Sequence, residues 1–253
     1  MKIIAIIQAR IGSTRLPGKV LADIAGVPML ARIIARVKAT PDIDEIVLAT
    51  TTSSEDDKLA DWINSNSEKC LCFRGEENDV LDRFYQCAKL HQADLIVRVT
   101  ADDPLKDAKV IQRAIDYFYR EPLLDYCSNT MTPTYPEGLD IEVFKYSALE
   151  RAWLEAKLPS EREHVTPYIW KNPNIFNLRN FEYKKDLSAW RWTVDKPVDL
   201  ILMDKIHQHF INDPLVGFEE IIQYLEKNPE LIKINNGIIR NEGYLISTNG
   251  ENV

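Results

Sequence analysis

The sequence predicts an α/β protein with a mostly parallel sheet covered by helices, and three observations carry that reading. Short apolar runs rich in β-formers alternate with helical patterns through the first two-thirds of the chain. A length of 253 residues with 45% hydrophobic side chains suffices for one large core and its appendages. The alternation then breaks after Asp125, and residues 130–145 (TMTPTYPEGLDIEVFK) carry prolines, a glycine and a short period-two pattern. No linker, repeat or low-complexity block interrupts the chain, so the expected organisation is one domain, 1–253, with 130–145 as a small inserted β arm or hairpin.

Taken in order, Ile3–Ile7 reads as the first strand and PMLARIIARVK (Pro28–Lys38) as an amphipathic helix. Glu45–Thr50 reads as a strand, and Glu55–Asn64 as a helix opened by a capping box of Ser54 and Asp57. Cys70–Phe73 is a third strand, Asp79–His91 a helix, and LIVRVT (Leu95–Thr100) a fourth strand. Asp107 caps a helix running to about Arg120. Helices follow at Tyr146–Lys157 and Ser160–Trp170, the latter with a capping box of Ser160 and Glu163, then strands near Phe176–Tyr183 and Arg191–Val194. Pro197–Phe210 and Phe218–Lys227 are the last helical patterns, and the polar tail from Asn235 has no assignment.

The net charge of −8 argues against a nucleic-acid partner, whose phosphates are held by Lys and Arg. No apolar run approaches the roughly 20 residues that span a bilayer, so no membrane association is expected. Cys70, Cys72, Cys87 and Cys127 form neither a CxxC pair nor a disulfide framework, which points to reduced thiols and a cytoplasmic location. Against the acidic background, Arg10, Arg15 and Lys19 make a local positive patch suited to a compact anion.

That patch lies in QARIGSTRLPGKVL, directly after the first strand. Gly12 and Gly18 allow tight or left-handed turns, Ser13 and Thr14 supply hydroxyls, and the three cations supply charge for a phosphate. The loop is not a Walker loop, because five residues separate the glycines and Val20 follows Lys19. There is no GxGxxG fingerprint either.

ARIGSTRLPGKVL resembles the signature loop of the acylneuraminate and 3-deoxy-manno-octulosonate cytidylyltransferases, and most of all the branch associated with spore-coat polysaccharide biosynthesis. The resemblance continues through RGEENDVLDRF, VRVTADDPL, SNTMTPTYPEGLDIEVF and WRWTVDKPVDL, about four-fifths of the chain in order. It implies a Rossmann-like fold with helices on both faces of the sheet, CTP as donor, Mg²⁺, a sugar or sugar-acid acceptor for surface glycans, and a homodimer. The nucleotide side would then comprise Ala9, Arg10, Gly12, Ser13, Arg15, Lys19, Arg83 and Asp102, with the base near the Ala9–Arg10 backbone.

Nucleotidyl transfer is an in-line displacement at the α-phosphorus, and Mg²⁺ bound by one or two carboxylates neutralises the phosphates. Asp102 follows the LIVRVT strand, where open sheets place their sites, while Asp103 would point elsewhere. Asp195 ends the WRWTV run. The resemblance makes both Asp102 and Asp195 metal ligands and, with Arg10 and Lys19, the catalytic set. The competing readings are a turn aspartate before Pro104 and a cap for the helix at Pro197, in whose first turn Asp199 sits.

For the acceptor, Asp140 and Glu142 share one face of an expected strand, beside Tyr135 and Gly138, and the resemblance puts TYPEGLDIEVF in the sugar pocket. The alternative is the polar outer face of an edge strand. His164 is a further acceptor-side candidate, Arg83 is either a ligand contact or an exposed helical arginine, and Arg74, Arg98 and Arg162 are candidates for an acceptor carboxylate. His207 and His209 face different ways on their helix and suggest no metal site. Two other functions compete: a glycosyltransferase using nucleotide sugars, which often carries an Asp-x-Asp motif whose spacer Asp102–Asp103 lacks, and a catalytically silent nucleotide-sensing or scaffold protein.

Overall fold

The computed structural model describes residues 1–13, 15–66, 70–249 and 251; Thr14, expected in the phosphate loop, lies outside them. Its strands are β1 (Ile3–Gln8), β2 (Asp23–Ile24), β3 (Val27–Pro28), β4 (Glu45–Thr51), β5 (Leu71–Gly75), β6 (Leu95–Thr100), β7 (Tyr126–Ser128), β8 (Glu142–Lys145) and β9 (Leu178–Asn180). Its helices are α1 (Met29–Lys38), α2 (Asp57–Asn66), α3 (Val80–Leu90), α4 (Ala108–Arg120), α5 (Tyr146–Glu155), α6 (Pro159–His164), α7 (Pro167–Trp170), α8 (Pro197–His209), α9 (Phe218–Lys227), α10 (Pro229–Ile232) and α11 (Glu242–Thr248). No helix among the described residues is long and apolar enough to cross a membrane.

Seven strands form one sheet in the order β5-β4-β1-β6-β8-β7-β9, parallel except for β8, while β2 and β3 make a separate small hairpin. β1 is apolar on both sides, as a central strand must be. Ile3, Ala5 and Ile7 pack with residues of α1, α2, α4, α8 and α9. Ile4 and Ile6 pack with α3, α5 and α7 on the other face. The chain winds outward from β1 to β5 and then returns to β6 on the other side of β1. The reversal opens a crevice beyond the ends of β1 and β6, where the Arg10–Lys19 loop and Asp102 emerge.

Several expectations are corrected. Residues 142–145 do not stand off as an arm: β8 enters the sheet between β6 and β7, with Val143 and Phe144 wholly buried, and the 130–141 lead-in packs over the sheet end. It still forms a wide antiparallel hairpin with β7. Ser54–Asp56 is a 3-10 turn without a side-chain cap, because Asp56 turns inward to accept the Ile11 N–H at 2.6 Å and the Thr51 hydroxyl. The 160–170 helix is two helices broken at Val165, and its capping carboxylate is Glu161, which accepts from Lys157 N and Leu158 N. Arg191–Val194 is extended but, among the described residues, joins no ladder beyond the single bridge of Glu137 and Arg191. Of the two loop glycines only Gly18, at φ 70°, is left-handed. The four cysteines are free thiols, and Asp107 caps α4 as expected.

Candidate nucleotide and acceptor site

The loop after β1 is held by its own backbone. Ser13 N and Gly18 N donate to Ile11 O at 2.8 and 3.1 Å, and left-handed Gly18 starts a 3-10 turn, Lys19–Leu21, whose Val20 is buried. With the loop pinned, Lys19 is aimed across the crevice. Its ammonium donates to Asp102 Oδ2 at 3.0 Å, Asp195 Oδ1 at 2.7 Å and Val194 O at 2.9 Å. Arg15 Nη2 reaches the same Asp195 oxygen at 2.8 Å. The two aspartates, 93 positions apart in sequence, thus share one cation.

Asp195 is placed by the backbone that follows Arg191. Trp192 N donates to Glu137 O and Val194 N to Asp102 O at 2.6 and 2.8 Å. Buried Arg191 ties Glu137, Asp195 and Asp199 together at 2.6, 3.1 and 3.1 Å. Asp199, not Asp195, satisfies the helix start, accepting from Asp195 N and Lys196 N at 2.9 and 2.8 Å. The helix-cap reading of Asp195 is therefore excluded, since its carboxylate holds cations instead. Burial alone would lower the Lys19 pKa, but Asp102 and Asp195 outweigh it and raise it. The Asp102 carboxyl is correspondingly held below its usual range, against its own burial, by Lys19.

Two clefts flank this cluster. One of about 590 Å³ is walled by Gln8, Ala9, Arg10, Ser13, Lys19 and Arg83, with Glu77, Asn78 and Arg162 across from them. The other, about 500 Å³, is lined by Glu137, Gly138, Asp140, Glu142, Asp195 and the aromatic side of Trp170 and Tyr244. They share Arg15, Arg98, Thr100, Asp102, His164 and Gly243 as a common wall.

Of the expected nucleotide side, Arg10 is exposed on its cleft, whereas Ala9 is buried and its N–H is already bonded to Ala49 O. Gly12 stands outside the lining, in ordinary backbone. Arg83 is not the exposed helical arginine that was the alternative: it is 1% exposed and donates to Glu76 O at 2.8 Å. Arg74 is spent on Thr51 O, Ser53 O and Asp57 and lines neither cleft, while Arg162 is tied to Asp79.

On the acceptor side, β8 runs against its neighbours, so its first residue sits at the crevice end of the sheet. Register pairs Glu142 with Arg98, and the two form an ion pair. Glu142 also accepts from Tyr126 and Thr166 hydroxyls; burial opposes its charge, but Arg98 prevails and its pKa is lowered. Asp140 lies just before the strand and pairs with Arg240; burial raises its pKa. Neither is an outward face of an edge strand. Asp103 turns away from Asp102 to accept from Thr100 Oγ1 at 2.7 Å and Lys106 at 2.8 Å. Tyr135 is a correction: its ring is in the core against Phe181, Tyr183 and Phe218, and its hydroxyl accepts from Arg113, because the lead-in is buried without a break from Tyr135 to Leu139.

Sequence reading missed Arg191, Glu137, Lys106 and the tail. An arginine between tryptophans in an apolar run was the available signal for Arg191. The tail closes the acceptor side: Glu242 contacts Arg15 and Lys196 at 3.5 and 3.2 Å, Tyr244 meets His164 edge-on at 5.0 Å, and Ser247 donates to Glu163.

A family profile described as cytidylyltransferase matches residues 4–241, spanning the loop, both aspartates and the lining of both clefts apart from Glu242, Gly243 and Tyr244. The chain belongs to the cytidylyltransferase family. Among relatives of this cytidylyltransferase, it is 40% identical to an uncharacterized protein of Methanocaldococcus jannaschii, over 94% of this chain and 96% of the relative. It is 31% identical to a spore coat polysaccharide biosynthesis protein of Bacillus subtilis, over 90% and 95%. A solved cytidylyltransferase from Leptospira borgpetersenii superposes with a TM-score of 0.88 at 33% identity, covering 94% of this chain and 99% of that one.

Proposed function

We propose that the protein transfers CMP from CTP to a sugar acid destined for a surface glycan, releasing pyrophosphate. The observation that carries this reading is the meeting of two clefts at Asp102, one walled by the Arg10–Lys19 loop and sized for a nucleotide, the other for a sugar. Arg10, Arg15 and Lys19 would bind the triphosphate, and Arg98, on the common wall, is the cation best placed for an acceptor carboxylate. The glycosyltransferase alternative loses its motif, since Asp103 is engaged by Thr100 and Lys106.

Asp102 and Asp195 would hold Mg²⁺. Their fit is supported by Lys19, whose ammonium stands where both carboxylates converge, and by the donor set, two hard oxygen anions with remaining positions for phosphate and water. When bound, Mg²⁺ supplies charge neutralisation as pyrophosphate departs. The chain's own residues would orient the phosphates along the loop and present the acceptor hydroxyl to the α-phosphorus where the two clefts meet at Asp102.

The test is pyrophosphate release from CTP and Mg²⁺ with a panel of sugar acids, beside thermal-shift ranking of CTP, ATP, GTP and UTP. CTP should stabilise most; equal stabilisation by all four would count against a cytidine-selective site. Arg15→Ala and Lys19→Ala should each weaken CTP–Mg²⁺ binding by about 1.5–3 kcal/mol, one to two decades in Kd by calorimetry. An unchanged Kd in both would reject the phosphate-loop assignment.

A further inference from the structure

Val165 is β-branched and fully buried, yet its backbone sits at φ 73°, ψ −54°. Thr166 N closes this tight γ-turn onto His164 O at 2.9 Å. The conformation is unfavourable for such a residue and persists only where its surroundings impose it. It has a geometric result. In an uninterrupted helix, side chains two apart point about 200° away from each other. With the turn, α6 ends at His164, α7 begins at Pro167, and His164 and Thr166 both line the acceptor cleft.

His164 is also on the wall shared with the nucleotide cleft. Its Nε2 is enclosed without a hydrogen-bond partner, 3.8 Å from Glu163 Oε2, so Nδ1 is the nitrogen that the clefts can reach. The carboxylates lining the acceptor cleft are all ion-paired: Asp102 and Asp195 with Lys19, Asp103 with Lys106, Glu137 with Arg191, Asp140 with Arg240, Glu142 with Arg98 and Glu242 with Lys196. Against burial, Lys19 and Arg98 hold Asp102 and Glu142 below their usual range, which makes them weak proton acceptors, while Asp103 and Asp140, raised by burial, have their oxygens taken by Lys106 and Arg240. No hydrogen bond ties the His164 ring among the described residues.

We propose that His164 is the general base of the transfer, accepting the acceptor's hydroxyl proton as that oxygen attacks the α-phosphorus. The inference rests on the cytidylyl-transfer reading above. The hydroxyl O–H bond breaks with its proton passing to Nδ1, the new O–P bond forms, and the bond from the α-phosphorus to the bridging oxygen breaks. Its electron pair leaves with pyrophosphate, and the imidazolium then returns its proton to solvent. The groups facing the ring are Arg98 from β6, Glu142 from β8, Glu163 from α6, Tyr244 from α11 and Glu251 beyond it. Burial and then Arg98 lower the histidine's pKa, outweighing the three carboxylates, so the ring is neutral at pH 7 and free to accept.

The experiment follows pyrophosphate release from CTP–Mg²⁺ against pH, with 3-deoxy-manno-octulosonate and N-acetylneuraminate as acceptors and water as the slow control. In the wild type, kcat should fall on the acid side as His164 protonates. His164→Ala should lower kcat by about 10²–10⁴-fold and lose that acid limb, with CTP–Mg²⁺ affinity and melting temperature kept, and added imidazole should restore part of the rate. His164→Gln, which preserves the ring's volume better, should show the same loss. Turnover and an acid limb retained in both variants would overturn the assignment while leaving cytidylyl transfer standing. So would a lost rate that imidazole does not restore. A wild-type protein that releases no pyrophosphate with any acceptor would instead remove the transfer reading, and this inference with it.

Discussion

Asp102→Asn is expected to cut turnover on the order of 10³-fold with a modest fall in melting temperature, and Asp195→Asn to match that loss of rate while destabilising the fold further. The kinetic expectation follows from Lys19, which shows both carboxylates converging on one cation. If they share Mg²⁺ in the same way, either substitution disables the same function, and the double variant should be scarcely slower than each single one. The stability difference follows from their partners. Asp102 loses one contact to Lys19, which keeps Asp195. Asp195 is 11% exposed and neutralises Arg15, Lys19 and Arg191, so removing its charge leaves buried Arg191 with fewer anions, a cost of up to about 3 kcal/mol. The sign of the pH effect is fixed by the depressed Asp102 pKa. Its contribution is present above the unfolded carboxylate range and is lost as pH falls through the folded value. Steady-state kinetics and thermal melts check all of this. Fully multiplicative losses with Mg²⁺ dependence intact would break the shared-ion scheme and leave Asp195 as an anchor for Lys19 and Arg15.

Gly138→Ala should lower the melting temperature by about 6–20 °C, corresponding to about 3–5 kcal/mol. Gly138 has φ 104°, and a Cβ there would lie 2.6 Å from Trp192 C, 2.8 Å from Thr193 N and 2.9 Å from Trp192 O. These are backbone atoms, which cannot swing aside as a side chain would. The contact also sets the distance between the 137–142 lead-in and the segment that delivers Asp195, so the residual folded protein should turn over poorly. Gly12→Ala is the internal control: its backbone is ordinary and its Cβ would meet only Glu55 Oε2 at 3.5 Å, so its melting temperature should barely move. Equal behaviour of the two variants would refute the close approach.

Periodicity and capping chemistry made the first half of the fold readable in the sequence. β1, β4 and β6, the helix capped by Asp107, and the crevice at Asp102 all follow from local pattern, because each element there is long enough to declare itself. The second half was harder for physical reasons. β7 is three residues, too short for an alternation to register, whereas β9, equally short, falls inside the strand expected near Phe176–Tyr183. Trp190–Val194 has strand composition, yet its hydrogen bonds go to Glu137 and Asp102 instead of a ladder. Val165 defeats propensity altogether, since nothing in REHVTPY but Pro167 announces a break. At the site, Lys19, Asp102 and Asp195 were readable from the loop and the strand ends. Tyr135 misled because the lead-in is buried without a break from Tyr135 to Leu139, and Glu242–Tyr244 lay in a polar tail with no periodic signal.

That tail has a bearing on traffic through the site. No residue of α11 is buried, and it is tied down by polar contacts at its rim: Asn241 to Glu137, Glu242 to Arg15 and Lys196, Ser247 to Glu163. The partners of these ties, Glu137, Arg15, Lys196 and Glu163, all lie outside the strands of the sheet, so the ladder would stay intact on local opening of α11. One of its latches is Arg15, the same guanidinium that faces the nucleotide cleft. Under the proposed function, a triphosphate that draws Arg15 toward itself would leave Glu242 with Lys196 alone, so the donor's arrival would cut one of the ties between α11 and the phosphate loop.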